Sequence, residues 1–166
     1  MEKNKIEQIL KDFNEGLSLL DDYDNKTLKK PIGSPSSSSL DYSEAKEVIE
    51  QMKFKTDIFG VEKERGKLEG ILSAIELTAF GKEVYATAEE KAANLLYFLI
   101  KDHPFVDGCK RIAAALFLCY LDKNGLLYKD GKKILSNASL AAFVILIAQS
   151  NPDEKDVMVL LVQNAI

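Results

Sequence analysis

The stretch His103-Pro104-Phe105-Val106-Asp107-Gly108-Cys109-Lys110-Arg111 joins two strongly apolar runs and holds the only histidine of the chain. Its second half reads as the start of a helix. Asp107 stands where an N-cap belongs, Gly108 follows, and Ile112 to Leu121 is an unbroken run of helix formers. Lys110 and Arg111 then fall in a first turn, where a cation opposes the helix dipole by about 0.3–1 kcal/mol. Free backbone N–H groups at the same place favour an anion, and a bound phosphate would resolve the conflict. The local expectation is an anion-binding helix start, served by an imidazole and a carboxylate from the preceding loop.

Working outward, Thr87 and Glu90 form a capping-box pattern, and Ala92 to Ile100 is apolar on nearly every side, so this helix must be central. The helix after the motif, Arg111 to Asn124, is equally apolar and closes at Gly125. Upstream, Phe80 to Ala86 mixes an aromatic, a glycine and β-branched residues, which suits an extended flap or short hairpin. Apolar spacing predicts a helix over Val61 to Ala79 whose charged first half is a solvated face. Asp41 with Glu44 caps another helix, expected to end near Lys53. Asp130-Gly131 signals a turn. The last helices are expected at Asn137 to Gln149 and Pro152 to Ala165, the second with Asn151 as cap and Glu154 completing the box.

The N-terminal residues 1–20 carry Ile6, Ile9, Leu10, Phe13, Leu17 and Leu20 at helical spacing, a single amphipathic helix. Residues 21–40, with Pro31, Gly33, Pro35 and four consecutive serines, read as a linker, which leaves 41–166 as the main domain. A length of 166 residues with 46% hydrophobic content suits one core. The net charge of −4 argues against a nucleic-acid footprint. No stretch reaches the ~20 apolar residues of a spanning helix, and the N-terminus lacks a signal-peptide core. Cys109 and Cys119 stand too far apart on one helix for a disulfide, and free thiols suit a reducing compartment. A cytoplasmic protein with no membrane partner is the expectation.

Each motif residue has two readings. His103 can serve as a general base, since histidine changes charge near neutral pH, or can be a satisfied structural side chain. Asp107 can hold a divalent metal beside phosphate oxygens, as Mg²⁺ usually takes only one or two protein carboxylates, or can simply cap the helix. Arg111 offers a bidentate fork and Lys110 a point charge for phosphates; otherwise both are solvated cations. Phe105 is core on either reading.

Taken together, the nine residues resemble the Fic/Doc family signature H-P-F-x-D/E-G-N-x-R, with a Doc-like lysine before the arginine. The likeness extends to Phe80-Gly81-Lys82-Glu83-Val84-Tyr85, to Glu89 to Phe98 and to Ile100-Lys101-Asp102, which look like death-on-curing-type proteins. Leu20 to Asp24 and Phe59 to Lys63 look like RhuM-like virulence proteins. The resemblance implies an all-α Fido-fold bundle with a small β-hairpin flap over the active site. It also implies Mg²⁺-dependent transfer of part of ATP, or another nucleoside triphosphate, to a Ser, Thr or Tyr hydroxyl of a target protein. On that likeness His103 would be the base and Asp107 would hold Mg²⁺. Gly108, Cys109, Lys110 and Arg111 would hold the phosphates, and Phe80 to Tyr85 would dock the target. Ser150 to Glu154 and Ser43 to Glu47 match the first five places of the family's inhibitory pattern S/T-x-x-x-E-G/N and fail at the sixth, and the resemblance leaves an antitoxin or inhibitory partner open. Lys110 and the Ala113-Ala114 pair favour phosphoryl over adenylyl transfer. Cys109 stands where the family has asparagine, whose amide it cannot reproduce in full. Impaired catalysis, leaving a nucleotide- or partner-binding module, is the alternative.

Overall fold

The computed structural model describes residues 1–52 and 56–166. They fall into two compact units, Met1–Lys30 and Pro31–Ile166. In the first, the expected single helix is two, α1 (Lys3–Asp12) and α2 (Asn14–Asp24), which meet at Phe13 with φ −109° and ψ 12°. Neither helix buries a residue, so no packed face holds the joint straight through Asn14 and Gly16, both weak helix formers.

The second unit is all-α with two short hairpins. Its helices are α3 (Tyr42–Gln51), α4 (Lys67–Ile75), α5 (Ala88–Lys101), α6 (Cys109–Lys123), α7 (Asn137–Gln149) and α8 (Lys155–Asn164). A 3₁₀ turn, Pro152–Glu154, leads into α8 and carries the Asn151–Glu154 capping box. The hairpins pair β1 (Thr78–Ala79) with β2 (Lys82–Glu83), and β3 (Tyr128–Lys129) with β4 (Lys132–Lys133), around turns at Gly81 and Gly131. No described helix is long and apolar enough to cross a membrane.

Helix α5 is central, as its all-round apolar sequence requires. It packs on α4, α6, α7 and α8. Leu95, Leu96 and Leu99 share one core with Ile112, Leu116, Phe117 and Leu121 of α6. Fully burying each such side chain is worth about 1.5–3 kcal/mol, which fixes the two helices that flank the motif. Its first turn is polar yet buried, and the polar groups are matched. Thr87 caps Glu90 N–H, the Glu90 carboxylate accepts from Ala86 N–H, and Glu89 accepts from Ser34 N–H.

Lys91, 1% exposed, donates to Glu76 at 2.6 Å and to Glu83 at 2.9 Å. Desolvation works against its charge, but the two carboxylates outweigh it and raise the Lys91 pKa above the ordinary 10.5. A raised lysine stabilises the fold fully below its unfolded value and loses that contribution as pH climbs through the folded one. Lys91→Met should cost about 3 kcal/mol, the low end for breaking a buried pair. Denaturant melts from pH 8 to 11 should show the wild type losing this advantage only on the alkaline side; a constant gap between the two proteins would refute the pairing.

Two sequence expectations change in this unit. The serine-rich stretch is not a free linker. Ser34 carbonyl accepts from Ala88 N–H, Ser36 Oγ shares a 3.0 Å hydrogen bond with Tyr120 OH, and Asn124 binds the backbone of Ser37 and Ser38. Residues 31–40 are a strap on the ends of α5 and α6, while Asp21–Asp24 belong to α2. The helix expected over Val61 to Ala79 is only Lys67–Ile75, because Gly66 at φ +85° starts it and Thr78–Ala79 turn into β1. The α3 helix ends at Gln51, and Lys53 lies outside the described residues.

Candidate active site

The last turn of α5 ends at Lys101, and the chain reverses through His103 at φ +48°, a left-handed conformation that histidine tolerates better than most residues. Phe105, 0% exposed, anchors the loop from below. A second, extended segment lies along it. Lys63 N–H donates to Pro104 carbonyl at 2.9 Å, Val106 N–H to Val61 carbonyl at 2.8 Å, and Gly60 N–H to Asp107 carbonyl at 3.1 Å. Bridges pair Phe59 with Asp107 and Glu62 with Phe105. The charged run expected to be a solvated helix face is therefore the splint of the motif loop. Its Glu62 carboxylate receives Leu68 N–H at the start of α4 and Tyr42 OH.

Asp107 is not the N-cap. Gly108 caps α6, at φ +92°, with no side-chain cap. The reason is steric: a Cβ there would stand 2.4 Å from the Phe59 ring, so the backbone approaches that ring as only glycine can. The Asp107 carboxylate is thereby released to face outward. It accepts from Arg111 at 3.3 Å and from Thr56 Oγ1 at 3.2 Å. Arg111 also lies over the Phe59 ring, 5.1 Å from its centroid.

These groups border one cleft of about 210 Å³, lined by His103, Val106 and residues 107–111. His103, Lys110 and Arg111 are exposed, and the N–H groups of the first turn of α6 have no intrahelical partner. A larger groove of about 680 Å³ between α3 and α6 gathers no histidine or arginine. No cluster of three or more metal-ligating side chains occurs among the described residues. The single outward carboxylate fits Mg²⁺ carried in with phosphate oxygens rather than a bare-ion site.

Cys109 turns inward. It is 4% exposed, and its sulfur accepts from Phe105 N–H at 3.4 Å and donates to Phe105 carbonyl at 3.2 Å. Burial pushes the thiol pKa up despite the hydrogen bond from Phe105 N–H and the nearby Lys63 and Lys110, so a phosphate-repelling thiolate is disfavoured. The side chain clasps the loop instead. An amide can serve both Phe105 groups, so Cys109→Asn should hold stability within about 1 kcal/mol, whereas Cys109→Ala should lose roughly 1–3 kcal/mol. Urea melts of the two variants check this; equal losses would contradict the clasp.

The hairpin Phe80 to Tyr85 forms as expected, and none of its residues is among those that line this cleft. Glu83 pairs with Lys91 in the first turn of α5, while His103 follows the last. Ten residues of helix separate Lys91 from Lys101, roughly 15 Å. The residues missed by sequence reading are Phe59, Gly60 and Lys63. The Lys63 ammonium lies 2.8 Å from His103 Nδ1, and only a non-local pairing put it there.

Residues 39–121, which run from the strap into the last turn of α6, match the family model described as the Fic/DOC family. The chain is a Fic/Doc protein. No curated protein and no solved structure matches it. The Fic/Doc match spans the splint, the central helix and the whole motif loop, and nucleotide-dependent modification of proteins is the general activity of the family.

Proposed function

We propose that this Fic/Doc protein transfers part of Mg²⁺-bound ATP to a hydroxyl of a target protein, phosphoryl transfer being favoured over adenylyl transfer. One observation carries the reading: an imidazole, an outward carboxylate, two cations and a helix N-terminus border a single cleft. The helix start and Arg111 would hold phosphate oxygens, with Lys110 as a point charge. Asp107 would hold Mg²⁺, which when bound neutralises charge on the bridged phosphates. In the phosphoryl version the target oxygen bonds to the γ-phosphorus and the bond between that phosphorus and the β,γ-bridging oxygen breaks. ADP leaves with the electron pair, and His103 takes the hydroxyl proton. In the adenylyl version the bond forms at the α-phosphorus and pyrophosphate leaves.

ATP labelled on the α- or the γ-phosphate, incubated with the protein and a lysate, separates the two. Label from the γ position on a protein supports phosphoryl transfer. Label from the α position alone overturns it in favour of adenylyl transfer, and no label from either position rejects both.

The inward sulfur of Cys109 supports a second reading, a nucleotide- or partner-binding module that catalyses nothing, because its side chain offers no donor to phosphate. Activity that appears only in Cys109→Asn favours the module. Equal activity in both forms rejects it.

A further inference from the structure

The contact between Lys63 Nζ and His103 Nδ1, 2.8 Å, is unaccounted for by the transfer chemistry. An ammonium has three donors and no acceptor, so Nδ1 must supply the lone pair and the neutral ring carries its proton on Nε2. In that arrangement neither ring nitrogen has a lone pair free to take a proton. Lys63 reaches this position because its own backbone N–H is pinned to Pro104 carbonyl at 2.9 Å, one residue from the histidine. Its side chain is exposed, and its flexible four-carbon stem can swing without disturbing that pin.

We infer that Lys63 is a positioning residue that engages His103 Nδ1 in the empty site and leaves it for the incoming polyphosphate, which frees the base only when nucleotide is present. The attraction favours such a move: a polyphosphate carries several negative charges and draws the ammonium by opposite charge, which the neutral lone pair of Nδ1 cannot do. The release step rests on the phosphate reading of the cleft; the contact itself does not.

The chain has one histidine, so ¹⁵N-histidine labelling reports His103 alone. In ligand-free protein, at a pH where the ring is neutral, the proton should be on Nε2 and the Nδ1 signal displaced from its free lone-pair position. Lys63→Met should return it to that position, and Lys63→Arg, which keeps a donor, should retain the displacement. Mg²⁺ with inorganic tripolyphosphate should move wild-type Nδ1 to the position seen in Lys63→Met. Coincident ligand-free spectra of wild type and Lys63→Met overturn the contact. An unmoved Nδ1 while the Lys110 and Arg111 amides, read in uniformly ¹⁵N-labelled protein, respond to tripolyphosphate overturns the release and leaves the phosphate reading standing. No response at any amide overturns the phosphate reading and the release together, and the ligand-free comparison alone then decides the contact.

Discussion

His103→Ala is expected to lower target labelling by about 10²–10⁴-fold, the usual worth of a positioned general base, while leaving the fold intact. The imidazole is exposed and its side-chain hydrogen bond goes to Lys63, so little packing is lost. The backbone needs care, because φ is +48° here and alanine tolerates the left-handed region less well than histidine. His103→Asn serves as the control, since asparagine visits that region readily yet cannot act as a base. Both variants should keep the wild-type circular dichroism spectrum and lose labelling. Labelling by folded His103→Asn at the wild-type rate would remove His103 from the chemistry.

Gly108→Ala should be strongly destabilising, because it combines a left-handed backbone with a close aromatic contact. Its φ of +92° costs a residue with a Cβ about 1–2 kcal/mol. The new carbon would stand 2.4 Å from one Phe59 carbon and 2.7 Å from another, and overpacking of that kind costs about 1–3 kcal/mol. The sum is roughly 2–5 kcal/mol, or roughly 5–20 °C in melting temperature for a protein of this size. Gly66→Ala separates the two contributions. Gly66 has φ +85° and nothing within 4 Å of an added Cβ, so it should lose only about 1–2 kcal/mol. Equal losses at both positions would mean that the Phe59 contact carries no energy. Because Phe59 also underlies Arg111 at 5.1 Å, Gly108→Ala should weaken phosphate binding at temperatures where it is still folded.

What was legible in the sequence follows the range of the interaction that decides it. The capping boxes at Asp41 and Asn151 use partners three residues away and both are found, while at Thr87 only the cap forms, the Glu90 carboxylate taking Ala86 N–H instead. Helix α5 announced its burial because Ala92, Ala93, Leu95, Leu96, Phe98, Leu99 and Ile100 make it apolar on nearly every side. The motif residues could be chosen because their chemistry is dense within nine positions. Non-local pairing is where reading failed. Residues 59–63 adjoin apolar positions at helical spacing, yet they are not helical because the motif loop, more than 40 residues later, takes their backbone hydrogen bonds. Asp107 has the composition of a cap, but the Phe59 ring presses on the next residue and makes Gly108 the cap. The serines have the composition of a linker, but Ser36 meets Tyr120, 84 residues on. Cys109 looked like a broken phosphate anchor, and in the fold it is a clasp on Phe105.

The claim on which the account turns is that the cleft between His103 and Arg111 receives a Mg²⁺-bound polyphosphate. Calorimetric titration of the full chain with ATP, with and without Mg²⁺, tests it without needing a target. Saturable binding that requires Mg²⁺ is predicted, weakened about 10-fold or more by Arg111→Ala, as loss of a hydrogen bond to a charged group costs about 1.5–3 kcal/mol. A flat titration at millimolar ATP and Mg²⁺, or equal affinity in Arg111→Ala, would contradict it.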